Sequence, residues 1–326
     1  MSNFQQLALI GPTASGKSAL SIELAKKYSA NILSLDSLAI YKEINIASAK
    51  PTIEDREGIS HFGIDVIFPN ETFDVTTFIK LYENAKKASI EANKNLIIVG
   101  GTSFYLNILL NGISELPSIS EATQAKTDER LVNLEEAHRF LHDLDSKYMS
   151  AITPQDRYRI EKMLNLYFET GLTPTEYFKA HPAKASIAEP LPIYEIEVER
   201  ELLRKRINTR TLKMIKCGLI DEVFYLEKNY TRQPNCMKSI GIKEVLSYLD
   251  GHYTKMEMKE KIVTHTAQLA KRQRTFNKSQ FSDKLQLPLE KLTPLLLEEK
   301  NPFIYDSLQK PTNLMEQLSE LRPHHT

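Results

Sequence analysis

The chain has 326 residues, and its 42 basic and 42 acidic side chains give a formal net charge of zero. Because the net charge is zero, the overall electrostatic field of the protein cannot attract an anionic partner, which must be bound by a local basic surface. Two cysteines are too few for a disulfide framework or a four-cysteine zinc site. The sequence has neither a signal-peptide pattern nor the ~20 apolar residues of a membrane span, so we expect a cytoplasmic protein of about two domains.

Strands and helices alternate in the first third of the chain. Three strands are predicted, at LALI, at NILSLD (31–36) and at NLIIVGGT (95–102). A helix is predicted after the first strand, at residues 18–28, and an amphipathic helix before the third, at residues 78–94. The third strand is apolar on both faces, as central strands of parallel sheets are. The pattern predicts an α/β protein built on a parallel sheet.

The pattern then becomes helical. We expect a helical insertion domain at residues 118–188, with a strand at about 191–200 that returns to the sheet and further helices to about 282. Because the first strand is followed by the glycine-rich loop GPTASGKS (11–18), the predicted fold is a P-loop NTPase-like parallel-sheet core interrupted by a helical insertion domain. Residues 1–117 and 189–290 form this core, and residues 291–326 form a C-terminal tail.

The sequence GPTASGKS at residues 11–18 matches the Walker A pattern GxxxxGKS, with a predicted strand before it and a helix after it. Glycines allow backbone N–H groups to turn toward phosphate oxygens, and the helix N-terminus adds a partial positive charge. Lys17 supplies a full positive charge, and Ser18 supplies a hydroxyl for Mg²⁺. The alternative interpretation is a glycine-rich turn without a ligand.

A single carboxylate is predicted close to this loop. The second strand ends at Asp36, and the third ends in Gly-Gly-Thr without an acidic residue. Because ligands gather at the carboxyl ends of parallel strands, Gly11–Ser18, Asp36 and Gly100–Thr102 should meet in one cleft. A carboxylate beside a phosphate site suggests a general base, although a role near Mg²⁺ is the alternative for Asp36. An ordinary helix cap is the alternative for Thr102.

Several short stretches occur together in a characteristic order: GPTASGKS (11–18), DSLAIYKEINIASAKP (36–51), HFGID (61–65), FDVTTF (73–78), VGGTSFYLNILLNG (99–112), LPS (116–118), SIGIKE (239–244) and QLAKRQRTF (268–276). Over about residues 7–280 the chain resembles the tRNA dimethylallyltransferase family, also called the tRNA isopentenyltransferase or IPP transferase family. The combination is far more specific than a P-loop by itself.

The resemblance implies transfer of a dimethylallyl group from dimethylallyl diphosphate to N6 of the adenosine at tRNA position 37, on the 3′ side of the anticodon. The modified tRNAs would be those that read codons starting with U. The loop would then hold a diphosphate leaving group, with Mg²⁺ at Ser18. The implied partner is the tRNA anticodon stem-loop, gripped by the insertion domain, and we expect a monomer.

The resemblance and the basic helices assign three sets of residues. Asp36 is the expected base, Lys17 stabilises the leaving group, and Thr102 lies beside the target adenosine. Diphosphate binding is expected at Gly11, Pro12, Thr13, Ala14, Ser15, Gly16, Lys17, Ser18, Arg206 and Arg210. Contacts with tRNA are expected at Asp36, Ser37, Leu38, Ala39, Thr102, Gln124, Arg159, Lys162, Lys238, Lys243, Lys271 and Arg272.

The basic stretches at residues 200–216 and 270–278 admit two interpretations. Such runs are commonly solvated helix faces, but in a neutral protein they could contact the RNA backbone. Arg206 and Arg210 are one turn apart, so they should share a helix face. The sequence departs from the family pattern at three positions, where Gln124, Ala267 and Phe276 replace the usual Arg, Arg and Trp. These departures affect the expected contacts with RNA and not the expected chemistry of the transfer.

Three other functions compete with this interpretation. A prenyltransferase of free adenine nucleotides would not need the helical insertion or the basic helices. A P-loop kinase of small molecules would need an ATP base pocket and an acceptor lid, and the sequence shows neither signature. A non-catalytic P-loop RNA-binding ATPase would hydrolyse nucleotide without prenyl transfer.

Overall fold

The computed structural model describes residues 4–299 and 301–304, and it divides the chain into two compact units. Leu110–Ser186 forms one unit, and the described residues before and after it form the other. The insertion domain predicted at residues 118–188 overlaps Leu110–Ser186, and its bounds stay a prediction. No helix among the described residues combines the length and apolar character needed to cross a membrane.

The larger unit is built on a parallel sheet. Its strands are β1 (Gln6–Ile10), β2 (Ala30–Ser34), β3 (His61–Phe62), β4 (Asn95–Gly100), β5 (Ile193–Glu197) and β6 (Leu285–Pro288). They lie side by side in the order β3-β2-β4-β1-β5-β6. The predicted α/β fold with a P-loop-type parallel sheet is therefore confirmed.

Helices cover the sheet and form the rest of the larger unit. They are α1 (Lys17–Lys27), α2 (Val75–Glu91), α3 (Ser103–Asn111, which continues into the second unit), α9 (Arg200–Lys216), α10 (Leu219–Tyr230), α11 (Ile242–Leu249), α12 (Lys255–Gln280) and α13 (Leu289–Pro294), with a 3₁₀ turn at Asn235–Lys238 and a π-helical turn at Leu295–Glu299. The helices of the second unit are α4 (Glu121–Arg130), α5 (Leu134–Leu144), α6 (Ser146–Met149), α7 (Arg157–Thr170) and α8 (Pro174–Ala180).

The main core lies where α1 and α9 pack on the sheet. Leu9, Ile97 and Ile196 come from adjacent central strands and are at most 1% exposed, because both faces of these strands are covered. Leu292 and Leu296, in the region predicted as a tail, also pack into this core. The part of that predicted tail beyond residue 304 lies outside the described residues.

The helical unit has its own small core. Leu141, Ile160 and Leu164 are completely buried there, on helices α5 and α7. Each of the helices α4–α8 begins at a side-chain cap: these caps are Ser120, Asn133, Asp145, Asp156 and Thr173, in that order. These caps satisfy backbone N–H groups that would otherwise lack partners.

Candidate active site

The phosphate loop joins β1 to α1 at the carboxyl edge of the sheet. Gly16 ends the loop with φ 102°, and a Cβ there would lie 2.7 Å from Cδ2 of Leu289. Gly11 has φ 149°, and its Cβ would lie 3.0 Å from the carbonyl oxygen of Ile196. Conformation and packing therefore both require glycine here, and the loop delivers the N-terminus of α1 to the cleft.

The Lys17 side chain folds back over the loop. Its Nζ donates hydrogen bonds to the carbonyls of Gly11 at 2.8 Å and Pro12 at 2.7 Å, and to Oγ of Ser15 at 3.3 Å. Burial, assisted by the charge of Arg210, lowers the pKa of Lys17 to about 7, and Asp36 and Glu195 oppose this shift. The lysine is thus held in the loop within the field of three other charged groups.

Asp36 lies on the neighbouring loop, two residues beyond β2, which ends at Ser34 rather than at Asp36 as predicted. Its Oδ1 accepts hydrogen bonds from the backbone amides of Leu38 at 2.8 Å and Ala39 at 3.1 Å. This Asx turn fixes the carboxylate at the start of the 36–50 segment. Its negative charge counters the lowering of the pKa values of Lys17 and Arg210.

The two predicted arginines on α9 reach these loops from the same helix face. Nη1 of Arg206 donates to the Ser15 carbonyl at 3.3 Å, and Nη2 of Arg210 donates to the Ser48 carbonyl at 3.4 Å. Burial lowers the pKa of the Arg210 guanidinium, and the Asp36 carboxylate opposes this effect. Cations thus gather beside the phosphate loop, as an anionic ligand requires.

The end of β4 forms the third side of the cleft. Because β4 lies between β1 and β2 and runs parallel to both, Gly100–Thr102 lies at the same edge as the phosphate loop and Asp36. A Cβ on Gly100 would lie 2.6 Å from Cβ of Leu35, so only glycine allows the two strand ends to approach this closely. Thr102 is half-buried and directly precedes α3.

The predicted tRNA contacts after Asp36 differ in accessibility. Ser37 is exposed, Leu38 is half-buried, and Ala39 is buried with its amide bonded to Asp36. An RNA could therefore touch Ser37 and Leu38 most easily.

The basic candidates on the later helices are accessible. Lys238, Lys243, Lys271 and Arg272 are exposed, and Lys243 lies 3.7 Å from the carboxylate of Glu244. One face of α12 lines an open cleft of about 550 Å³ formed by Gln268, Lys271, Arg272, Thr275, Phe276 and Ser279. Lys271 and Arg272 lie beside the Phe276 ring, and single-stranded nucleic acids bind where cations contact the phosphates and an aromatic ring stacks on a base.

The remaining tRNA candidates belong to the helical unit. Arg159 is exposed and pairs with Asp156 at 3.2 Å, and the Lys162 ammonium lies 5.7 Å from the centre of the Tyr158 ring. Arg159 and Lys162 are both on α7. Gln124 is half-buried and donates to Asp128 at 2.9 Å.

Two residues that the sequence did not single out contact the site segments. Gln273 on α12 bonds to the phosphate loop, and Glu222 on α10 bonds to the segment that follows Asp36. Gln273 lies within QLAKRQRTF, one of the stretches that carried the resemblance, so a signal was present. Glu222 has no comparable signal in its local sequence.

Comparison with known proteins assigns this arrangement to a family. The model of the IPP transferase family matches residues 39–280, which is well over half of the chain. The chain belongs to the IPP transferase family. The resemblance drawn from the motifs is thereby confirmed, and the chain is an enzyme of the transferase class.

Curated relatives in the IPP transferase family match nearly end to end. The tRNA dimethylallyltransferase of Sulfurovum sp. (strain NBC37-1) is 60% identical over 294 residues, which cover 90% of this chain and 98% of the relative. The tRNA dimethylallyltransferase of Sulfurimonas denitrificans is 52% identical over 292 residues, with the same coverage.

Solved structures of tRNA isopentenylpyrophosphate transferases are also similar. The full-length Bacillus halodurans structure has a TM-score of 0.67 at 27% identity and covers 96% of this chain and 99% of that chain. A eukaryotic dimethylallyltransferase, whose crystallographic snapshots show it acting on tRNA, has a TM-score of 0.76 and covers 98% of this chain and 80% of its own. At 23% identity, the latter shows likeness of fold.

Proposed function

We propose that this enzyme transfers a dimethylallyl group from dimethylallyl diphosphate to N6 of the adenosine at tRNA position 37, in tRNAs that read codons starting with U. The observation that carries the proposal is the position of Asp36, which follows β2 at the sheet edge that bears the phosphate loop. Its negative charge there counters the lowering of the pKa values of Lys17 and Arg210. Membership of the IPP transferase family supports the same reaction.

Asp36 acts as the general base in this proposal. The adenine N6 amine is a weak nucleophile because its lone pair is delocalised into the ring. As the N6 lone pair forms a bond to C1 of the dimethylallyl group, the C1–O bond breaks and diphosphate leaves with that electron pair. Asp36 takes the N6 proton. Since Oδ1 holds the amides of Leu38 and Ala39, we assign the proton to Oδ2.

The phosphate loop binds the diphosphate and stabilises the charge that it gains. The Gly11–Ser18 amides, Arg206 and Arg210 supply donors and positive charge. Lys17 adds a further donor, whose charged form a bound diphosphate would favour against the effect of burial. The exposed Ser18 hydroxyl at the start of α1 would supply a ligand to Mg²⁺. The described residues contain no cluster of three His, Cys, Asp or Glu that could hold a metal ion elsewhere. Mg²⁺ would neutralise charge on the diphosphate when bound.

The RNA is held by accessible groups in this proposal. A base inside a stacked anticodon loop must be extracted before its N6 can react. Ser37, Leu38 and Thr102 would contact the target adenosine, and the basic residues Lys238, Lys243, Lys271 and Arg272 would contact the RNA backbone. Gln124, Arg159 and Lys162 would contact the anticodon stem-loop from the helical unit.

The location and the oligomeric state stay predictions. We propose a cytoplasmic enzyme, where free thiols such as the exposed Cys217 and the buried Cys236 remain reduced. We also propose that it acts as a monomer.

Incubation with dimethylallyl diphosphate, Mg²⁺ and an unmodified tRNA carrying adenosines at and beside position 37 tests the function. We expect one added dimethylallyl group, at position 37 alone, by mass spectrometry of RNA fragments. Prenylation of free adenine nucleotides with no tRNA product would contradict the proposed acceptor. Rapid ATP hydrolysis with no prenylated product would contradict prenyl transfer altogether.

A further inference from the structure

Gln273 occupies the gap between the phosphate loop and the end of β4. Its Oε1 accepts a hydrogen bond from the backbone amide of Thr13 at 3.2 Å. The Nε2 of the same side chain would lie 2.5 Å from a Cβ added to Gly101, and the Gly11 carbonyl would lie 3.4 Å from that Cβ. One amide side chain therefore contacts two of the three segments that form the cleft.

The neighbours of Gln273 anchor this part of α12 to β5 and the residue after it. Nη2 of Arg274 donates to the Val198 carbonyl at 2.5 Å. One turn after Gln273, Nδ2 of the fully buried Asn277 donates to Oε1 of Glu195 at 2.7 Å. Because Glu195 is on the strand beside β1, the position of Gln273 is fixed relative to the sheet and not by the loop that it contacts.

The loop segment beside Thr13 adopts a conformation that costs energy. Ala14 has φ 62°, in the left-handed region that non-glycine residues rarely occupy. Such a conformation is strained and persists only where its surroundings hold it. The supports here are the Lys17 bonds to Gly11 and Pro12 before it, the Arg206 bond to Ser15 after it, and the Gln273 bond to Thr13.

We propose that Gln273 is a positioning residue for the phosphate loop. By holding the Thr13 amide from α12, it keeps the strained turn at Ala14 in the conformation that receives the diphosphate. Its exposed neighbours Lys271 and Arg272 do not share this role, because they line the open cleft along α12. This inference rests on the proposed function, since it takes diphosphate as the ligand of the loop.

The test compares Gln273→Met with wild type and with Gln280→Met, an exposed glutamine on the same helix. Methionine has a similar length but cannot accept the Thr13 hydrogen bond. Titration calorimetry with inorganic pyrophosphate and Mg²⁺ should show binding roughly 2- to 10-fold weaker in Gln273→Met, because the loop loses one hydrogen bond. Gln280→Met should bind as wild type does.

Hydrogen exchange and kinetics separate loop positioning from general damage. In Gln273→Met, the peptide containing Thr13 should exchange faster, while peptides from α10 should not change. The KM for dimethylallyl diphosphate should rise and the KM for tRNA should stay constant. Gln273→Glu retains an acceptor oxygen, so it should keep the loop protection even though its charge weakens pyrophosphate binding.

The outcomes distinguish the two proposals. If wild type itself does not bind pyrophosphate, the proposed function fails. If wild type binds and Gln273→Met binds equally well or more tightly, the positioning role is overturned. A rise of both KM values together, or loss of loop protection in Gln273→Glu as well as in Gln273→Met, would overturn it too.

Discussion

Oε2 of Glu222 accepts the backbone amide of Ile46 at 2.7 Å, although the two residues are 176 positions apart. The same carboxylate accepts the amides of Asn45 and Ala47, both at 2.8 Å. Three consecutive amides on one charged group fix the 36–50 segment against α10, and this segment begins at Asp36. Hydrogen bonds to charged groups are stronger than neutral ones.

Glu222→Gln should loosen this segment, because the amide offers one uncharged acceptor oxygen in place of two charged ones. We expect the free energy of unfolding to fall by about 1–3 kcal/mol, and the single-turnover transfer rate to fall with it. Chemical denaturation measures the first quantity. The control is Asp221→Asn, at the exposed neighbouring position on α10. A free energy of unfolding equal to that of wild type would show that the contact does not stabilise the folded state.

Gly16→Ala should destabilise the protein by roughly 2–4 kcal/mol, because it combines backbone strain at φ 102° with a collision against Leu289. Gly58→Ala is the matched control, since Gly58 has φ 77° with nothing within 4 Å of an added Cβ. It should cost about 1–2 kcal/mol from strain alone. Equal losses in the two variants would contradict close packing of the loop against Leu289.

Lys17→Ala should weaken pyrophosphate binding about 10- to 100-fold, since a charge-assisted hydrogen bond contributes about 1.5–3 kcal/mol. The rate constant should fall as well, because the lysine charge is needed more as the leaving group departs. Calorimetry and single-turnover kinetics measure the two effects, with Lys27→Ala, near the end of the same helix, as control. A normal rate constant would remove Lys17 from the mechanism.

Arg159→Ala and Lys271→Ala should each raise the KM for tRNA and reduce the slope of log affinity against log salt concentration by roughly one unit. The KM for dimethylallyl diphosphate should not change. Steady-state kinetics at several salt concentrations provide both values, and Lys87→Ala removes an exposed lysine on α2 as control. An equal loss of affinity for both substrates would contradict a role in RNA binding.

The central sheet and the phosphate loop could be predicted because their signals are local. The central strands β1 and β4 are nearly continuous apolar runs, and the loop has fixed spacing between strand and helix. β3 has two residues and β6 has four, ending at Pro288, so neither forms such a run, and both were missed at the edges of the sheet.

The contacts that support the site could not be predicted in the same way. Glu222 and Gln273 act through side-chain bonds to the backbone amides of Ile46 and Thr13, which are remote in sequence. Such bonds leave no periodic pattern, because any residue except proline offers the N–H group. Their partners emerge only when α10 and α12 are placed against the loops.

Asp36→Asn tests most directly whether the carboxylate beside the phosphate loop is the base of a prenyl transfer. Asparagine keeps the shape and some hydrogen bonding but cannot accept the N6 proton. Single-turnover rates of tRNA prenylation, measured at several Mg²⁺ concentrations, should fall by ~10²-fold or more at every concentration, while tRNA and diphosphate still bind. Full recovery of the rate at high Mg²⁺ would contradict the assignment and place Asp36 near the metal instead.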